Sequence, residues 1–248
     1  MLFINSGLLS LEKPISRMQI PGSKSTTTKP HERKVCIEGV LALATPTNEE
    51  DDPVYELAQK EGLYSYRGSE YDVLDRYFQA AREYKAEHIM RLTADCPLID
   101  PKVCDDMANA YFEKDLDYIR TGESYTEGLD CEVLGFQALA TAWRDAVLKS
   151  EREHVTLYIR NHSHLFKSMV KENVTDDSRY RITVDEREDF VVVKAILENI
   201  YRGKGSCLSM AEMKNFLDQN PNIYQLNAEI VRNEGLSISL QNDKSVAV

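Results

Sequence analysis

Two distant stretches of this chain share one grammar, and it leaves little choice of fold. Arg91-Leu-Thr-Ala-Asp-Cys-Pro-Leu-Ile-Asp-Pro101 reads as a buried strand, His88 to Thr93, that ends on a carboxylate, Asp95, before a turn and a new helix. Asp100 is a good N-cap, and Pro101 suits the first helical position, where its missing N–H costs nothing. Arg181-Ile-Thr-Val-Asp185-Glu-Arg-Glu-Asp-Phe190 repeats the order: apolar strand, terminal Asp, helix. Open α/β sheets bind ligands just beyond the carboxyl ends of their strands. Carboxylates at two such places, Asp95 and Asp185, point to a divalent metal and a phosphate-bearing substrate.

The same alternation runs through the rest of the chain. Ile37 to Ala44 reads as a strand, and Thr47-x-x-Glu50 as a capping box opening a helix to about Glu61. Leu63 to Tyr66 is a short strand closed by the turn Arg67-Gly68-Ser69. Tyr71 to Tyr84 is amphipathic, with Val73, Tyr77, Ala81 and Tyr84 on one stripe. A helix from Pro101 to about Lys114 and a strand from Leu116 to Arg120 follow. Further on, Asp130–Leu134, Lys167–Lys171 and Tyr180–Val184 read as strands, and Phe136–Leu148 as a helix. Ser150-Glu-Arg-Glu153 reads as a capping box for a helix toward Asn161. A helix from Arg187 to Tyr201 carries Phe190, Val193, Leu197 and Ile200 on one face, Ser209–Asn220 forms a last short one, and the last dozen residues, which are polar, read as frayed. Strands alternating with helices predict an α/β chain with a mostly parallel sheet flanked by helices.

Composition removes several functions. A net charge of −11 argues against a nucleic-acid partner, since phosphate backbones are held by clustered Lys and Arg. Cysteines 36, 96, 104, 131 and 207 are odd in number and form no C-x-x-C pair, which reads as reduced thiols in a cytoplasmic protein. No apolar run approaches the ~18 residues a membrane span needs, and Met1 to Leu9 lacks the marks of a signal peptide. The loops of P-loop ATPases, dinucleotide oxidoreductases and serine hydrolases are missing.

Each singled-out residue has an ordinary reading beside the chemical one. Asp95 can simply cap a turn, and Asp185-x-x-Glu188 is itself a capping box for the next helix. Gly68 can be a turn glycine, and a lone histidine such as His154 in a capped helix is more often structural. Asp115-Leu-Asp117 resembles the metal motif of glycosyltransferases but precedes a strand rather than following one.

From about Ile37 to Leu236 the chain resembles the acylneuraminate cytidylyltransferase family, in its spore coat polysaccharide branch. The runs that carry the likeness are Leu43–Pro53, Arg67–Tyr77, Arg91–Pro101, Gly128–Val133, Ser150–Thr156 and Thr183–Phe190, in the family's order. The resemblance implies a nucleotide-diphospho-sugar transferase (Rossmann-like) fold. It also implies activation of a sugar, acidic sugars included, by CTP to a CMP-sugar and pyrophosphate in surface polysaccharide synthesis. Carried over by position, Asp95 and Asp185 would hold Mg²⁺, with Asp95 also facing the nucleotide. Thr45, Gly68 and Ser69 would lie near the cytidine, and Asp130, Glu132 and His154 would line the sugar side. A homodimer formed through the segment after Gly122 is implied as well.

The implied organisation is a degenerate, partly disordered N-terminal segment at 1–35, a nucleotidyltransferase domain at 36–203, and a helical extension and tail at 204–248. The family's first loop, roughly Gln-Ala-Arg-Met-Gly-Ser-Thr-Arg-Leu-Pro-Gly-Lys, wraps the triphosphate. Here Ser16-Arg-Met-Gln-Ile-Pro-Gly-Ser-Lys24 keeps its Arg17, Met18, Pro21, Gly22 and Lys24 but lacks the central Gly-Ser-Thr-Arg. Arg17 and Lys24 are therefore the candidate catalytic cations for the leaving pyrophosphate. The alternative is a nucleotide-binding homologue impaired in catalysis by its incomplete loop.

Overall fold

A computed structural model describes residues 2–5, 40–203 and 206–243. The strands are β1 (Leu2–Asn5), β2 (Val40–Pro46), β3 (Tyr64–Gly68), β4 (His88–Arg91), β5 (Tyr118–Thr121), β6 (Glu132–Gly135) and β7 (Ser168–Lys171). They form one sheet in the order β3-β2-β1-β4-β6-β5-β7. β6 is antiparallel to both neighbours, and every other pairing is parallel. The sheet grows from β1 through β2 to β3, then returns to the other side of β1 for β4. Such a reversal opens a crevice at the carboxyl ends of the strands. Because β6 runs backward, its first residue, Glu132, meets Arg91 of β4 and Arg120 of β5 at that same rim.

The helices are α1 (Asp52–Lys60), α2 (Val73–Glu83), α3 (Pro101–Glu113), α4 (Phe136–Asp145), α5 (Lys149–Glu153) and α6 (Leu157–Asn161). After β7 come α7 (Arg187–Ile200), α8 (Met210–Gln219), α9 (Pro221–Tyr224) and α10 (Glu234–Gln241). Successive strand residues point to opposite faces of a sheet. Ile89, Tyr118 and Leu134 accordingly pack with α2, α4 and α6, while their neighbours Met90, Ile119 and Val133 pack with α3, α7 and α8. Both faces are covered, as a parallel sheet requires. Asp100 caps α3 as expected, accepting from the Lys102 N–H at 2.8 Å, and its other oxygen takes the Met210 N–H at 2.8 Å where α8 begins.

Several expectations need correction. No element is expected within residues 1–35, yet Leu2–Asn5 pairs with β2 and β4 in the middle of the sheet. The capping box at Thr47 does not form; a 3-10 turn at Glu49–Asp51 leads into α1, whose Pro53 sits in the first turn where proline is tolerated. Ser150 is inside α5 rather than capping it, with its hydroxyl on Asp243 at 2.6 Å. The expected single helix toward Asn161 is broken at Val155, whose φ of 44° is a left-handed conformation that β-branched residues rarely take.

Tyr180–Val184 is not a ladder strand. It is stitched in by single bonds and a bridge between Glu127 and Arg181. The capping box at Asp185 is displaced by one residue: Asp189 accepts from the N–H groups of Asp185 and Glu186. The buried stripe of α7 is Asp189, Val192, Val193 and Ile196, and Phe190 is 59% exposed instead of inward. α10 carries helix as far as Gln241, into the first of the last dozen residues expected to fray.

Candidate active site

A cleft of about 450 Å³ lies along the carboxyl rim, bounded on one side by the ends of β4 and β5 and the start of β6, and on the other by residues 230–238. Asp95 and Asp185 both line it. Their backbones are clipped together: the Asp95 carbonyl accepts from the Val184 N–H at 2.7 Å and the Thr183 hydroxyl at 3.0 Å. Burial pushes the Asp185 carboxyl upward, and the negative charge of Asp95 pushes it further, against the pull of Arg181. Two carboxylates whose negative charges meet in one cleft form a place for a cation. Among the described residues no group of three or more His, Cys, Asp or Glu side chains makes a closed metal cage. A two-carboxylate set fits Mg²⁺, which takes one or two protein carboxylates and fills its shell with phosphate oxygens and water.

Two arginines, Arg91 half-buried and Arg181 buried, organise the floor. Arg91 pairs with Glu132 at 2.6 Å, and Glu132 also accepts from the Thr156 hydroxyl at 2.7 Å and from the Tyr118 hydroxyl. Burial alone would raise the Glu132 carboxyl; the Arg91 charge, with these hydroxyls, holds it below its usual range. Both of its oxygens are thus engaged by the protein. Arg181 sits among Glu127, Asp185 and Asp189. Asp130 lines the cleft and faces Arg232 at 3.3 Å. His154 lines it too, across the strained Val155 from Thr156; its Nε2 is buried without a hydrogen-bond partner among the described residues. Burial, helped by Arg91 and Arg160, pulls its pKa down, so the ring is neutral at pH 7.

Thr45, Gly68 and Ser69 lie at the same rim but outside this cleft. Thr45, near the end of β2, is fully buried, and its hydroxyl has no partner among the described residues. Gly68 closes β3 so near to Arg76 that an added Cβ would stand 3.0 Å from the Arg76 Cγ. Ser69 accepts from the Asp72 N–H at 3.0 Å at the mouth of α2. Arg17 and Lys24 lie outside the described residues. Asp115 and Asp117 lie at the amino end of β5, away from the cleft, where Asp117 binds the Lys167 N–H at 2.8 Å. A glycosyltransferase metal motif has no support there.

Reading the sequence for carboxylates missed the cations. Arg91, Arg120, Arg160, Arg181 and Arg232 all line the cleft. A signal was present for two of them: Arg91-Leu-Thr-Ala-Asp95 and Arg181-Ile-Thr-Val-Asp185 are the same phrase, with arginine at the head of each.

A family model described as Cytidylyltransferase matches residues 34–231. The spore coat polysaccharide biosynthesis protein SpsF of Bacillus subtilis (strain 168) is 34% identical over 184 residues, 73% of this chain and 75% of its own. A solved cytidylyltransferase from Leptospira borgpetersenii serovar Hardjo-bovis has a TM-score of 0.72 at 26% identity, covering 90% of this chain and 95% of that one. CMP:2-keto-3-deoxy-manno-octonic acid synthetase, solved with CTP, has a TM-score of 0.50 at 11% identity over 79% of this chain and 98% of its own, a likeness of fold alone.

Proposed function

This chain belongs to the cytidylyltransferase family, and from that premise we propose that it activates a sugar with CTP, giving a CMP-sugar and pyrophosphate for surface polysaccharide synthesis in the cytoplasm. Its sheet and flanking helices are those of a nucleotide-diphospho-sugar transferase fold. The observation that carries the reading is the meeting of Asp95 and Asp185 in one cleft at the switch point of the sheet. These two would hold Mg²⁺. The chemistry it supplies there is neutralisation of charge on the α-phosphate and the departing pyrophosphate.

Positioning is the work of the chain's own side chains. Thr45, Gly68 and Ser69 are the proposed cytidine side, where the buried, unpartnered Thr45 hydroxyl offers a polar contact. Asp130 and His154 are the proposed sugar contacts, with Glu132 locked beneath them by Arg91. Arg120 and Arg160 line the cleft, and neither is within ion-pair distance of a carboxylate among the described residues, which supports an acidic sugar. Arg17 and Lys24 remain the proposed cations for the pyrophosphate. Attack by a sugar hydroxyl forms the new O–P bond as the bond to pyrophosphate breaks.

Pyrophosphate release from CTP across a panel of acidic and neutral sugars tests the reading, with Asp95→Asn as the inactive control. The altered loop at 16–24 favours a second reading, a nucleotide-binding homologue without turnover. Calorimetric binding of CTP with no pyrophosphate from any sugar would select it. A homodimer belongs to the same proposal, and light scattering tests it. No described helix is long and apolar enough to cross a membrane.

A further inference from the structure

The most heavily engaged cation in the cleft is Arg181, whose side chain is 7% exposed. Its guanidinium donates two bonds to Asp189, at 2.8 and 2.9 Å, one to Glu127 at 2.6 Å and one to Asp185 at 2.8 Å. Each acceptor leads to a different part of the site. Asp185 faces Asp95. Asp189 anchors the start of α7 and accepts from the Asn227 side-chain amide at 2.8 Å. Glu127 gives its other oxygen to the Asn233 N–H at 3.3 Å. Asn227 and Asn233 belong to the C-terminal strap, residues 227–243, whose stretch 230–238 walls one side of the cleft. Arg232 pins the same strap to the carbonyls of Glu123 and Tyr125 at 2.9 and 2.8 Å.

We propose that Arg181 is a positioning residue that orients Asp185 toward the cleft and couples it to the C-terminal strap. The inference rests on Asp185 being a cation ligand. A planar guanidinium presents its donors in a fixed fork, so the directions of all three carboxylates are set by one rigid group. Partners that orient a metal-binding side chain in this way change cation affinity by about 10–100-fold when altered. Coupling between two regions is reciprocal: whatever orders Asp185 also steadies the strap.

The probe is Mn²⁺, followed by electron paramagnetic resonance for affinity and by hydrogen exchange for residues 227–243. In the unaltered protein, Mn²⁺ slows exchange in the strap. Arg181→Lys keeps the charge but not the fork; with its melting transition retained, it binds Mn²⁺ about 10–100-fold more weakly, and its strap no longer responds to the ion. Unweakened Mn²⁺ binding by folded Arg181→Lys overturns the inference, as does strap exchange in the unaltered protein that is indifferent to Mn²⁺. Should Arg181→Lys fail to fold, the unaltered protein's exchange response decides alone. Asp185→Asn separates the two layers. If Asp185→Asn also binds Mn²⁺ normally, the cation-ligand reading fails. If Asp185→Asn weakens binding and folded Arg181→Lys does not, only the positioning role fails.

Discussion

Replacing Glu132 by Ala probes the floor of the cleft, because this carboxylate is held by three donors at once. Arg91 pairs with it at 2.6 Å, and the side chains are only 21% and 10% exposed, so solvent screens the pair weakly. Removing one partner of a buried pair costs about 3–5 kcal/mol, chiefly because the remaining charge is left uncompensated. The Thr156 and Tyr118 hydroxyls also lose their shared acceptor, though they stand 3.4 Å from each other and recover part of the loss. Adding about 1 kcal/mol for them gives a total near 4–6 kcal/mol. At roughly 2–4 °C per kcal/mol for a domain of this size, the melting temperature falls by about 10–20 °C. The double variant Arg91→Met with Glu132→Leu removes both charges and regains most of that fall, since a well-packed apolar replacement of an ion pair is often neutral. Calorimetry of the single and double variants checks both numbers. A fall of under about 3 °C for Glu132→Ala, the behaviour of a screened pair worth ~1 kcal/mol or less, would refute the account of a buried anchor.

The same carboxylate sets a pH dependence: its folded pKa lies below the unfolded value, so its contribution is present above about pH 4.3 and is lost as pH falls through the folded value. Melting curves of wild type and Glu132→Gln should therefore converge on acidification, not on alkalinisation. Asp95→Asn and Asp185→Asn each lower pyrophosphate release by about 10²–10³-fold, several kcal/mol of charge stabilisation, in a coupled phosphate assay. Gly128→Ala destabilises by about 3 kcal/mol or more in urea titration, because Gly128 has φ 100° and a Cβ there would stand 2.6 Å from the Thr183 backbone nitrogen. Ser209→Ala removes the N-cap of α8, where the Glu212 N–H donates to the Ser209 hydroxyl at 3.3 Å, and costs about 1 kcal/mol by the same titration.

Local signals were legible wherever one residue type decides a conformation by itself. Asp100-Pro101 marked the start of α3, and the stripe containing Tyr77 and Ala81 marked α2. What stayed hidden depended on partners far along the chain. Asp189 displaces the expected cap at Asp185 because Arg181 and Asn227 draw its carboxylate inward, and Phe190 beside it is exposed. Ser150 leaves its capping box for Asp243. A capping motif is a local offer, and a buried charge elsewhere can outbid it. The motif Gly128–Val133 pointed to Glu132, which lines the cleft, but its engagement by Arg91, Tyr118 and Thr156 is a product of strand register.

The two aspartates therefore reach one cleft by different physical routes. Asp95 follows a short strand beside the switch point, so the sheet itself aims it, and its neighbours Ile89 and Met90 bind that strand to both cores. Asp185 has no such ladder behind it: the segment at 180–184 hangs on single bonds to Glu127 and Asp95 and on the carboxylates around Arg181. A ligand held between a rigid carboxylate and one set by side-chain contacts is sensitive to whatever sets the second. The C-terminal strap bears on those contacts at Asn227 and Asn233, so under the proposed function changes far from the sheet edge would act on the chemistry through Asp185 and leave Asp95 where the fold put it.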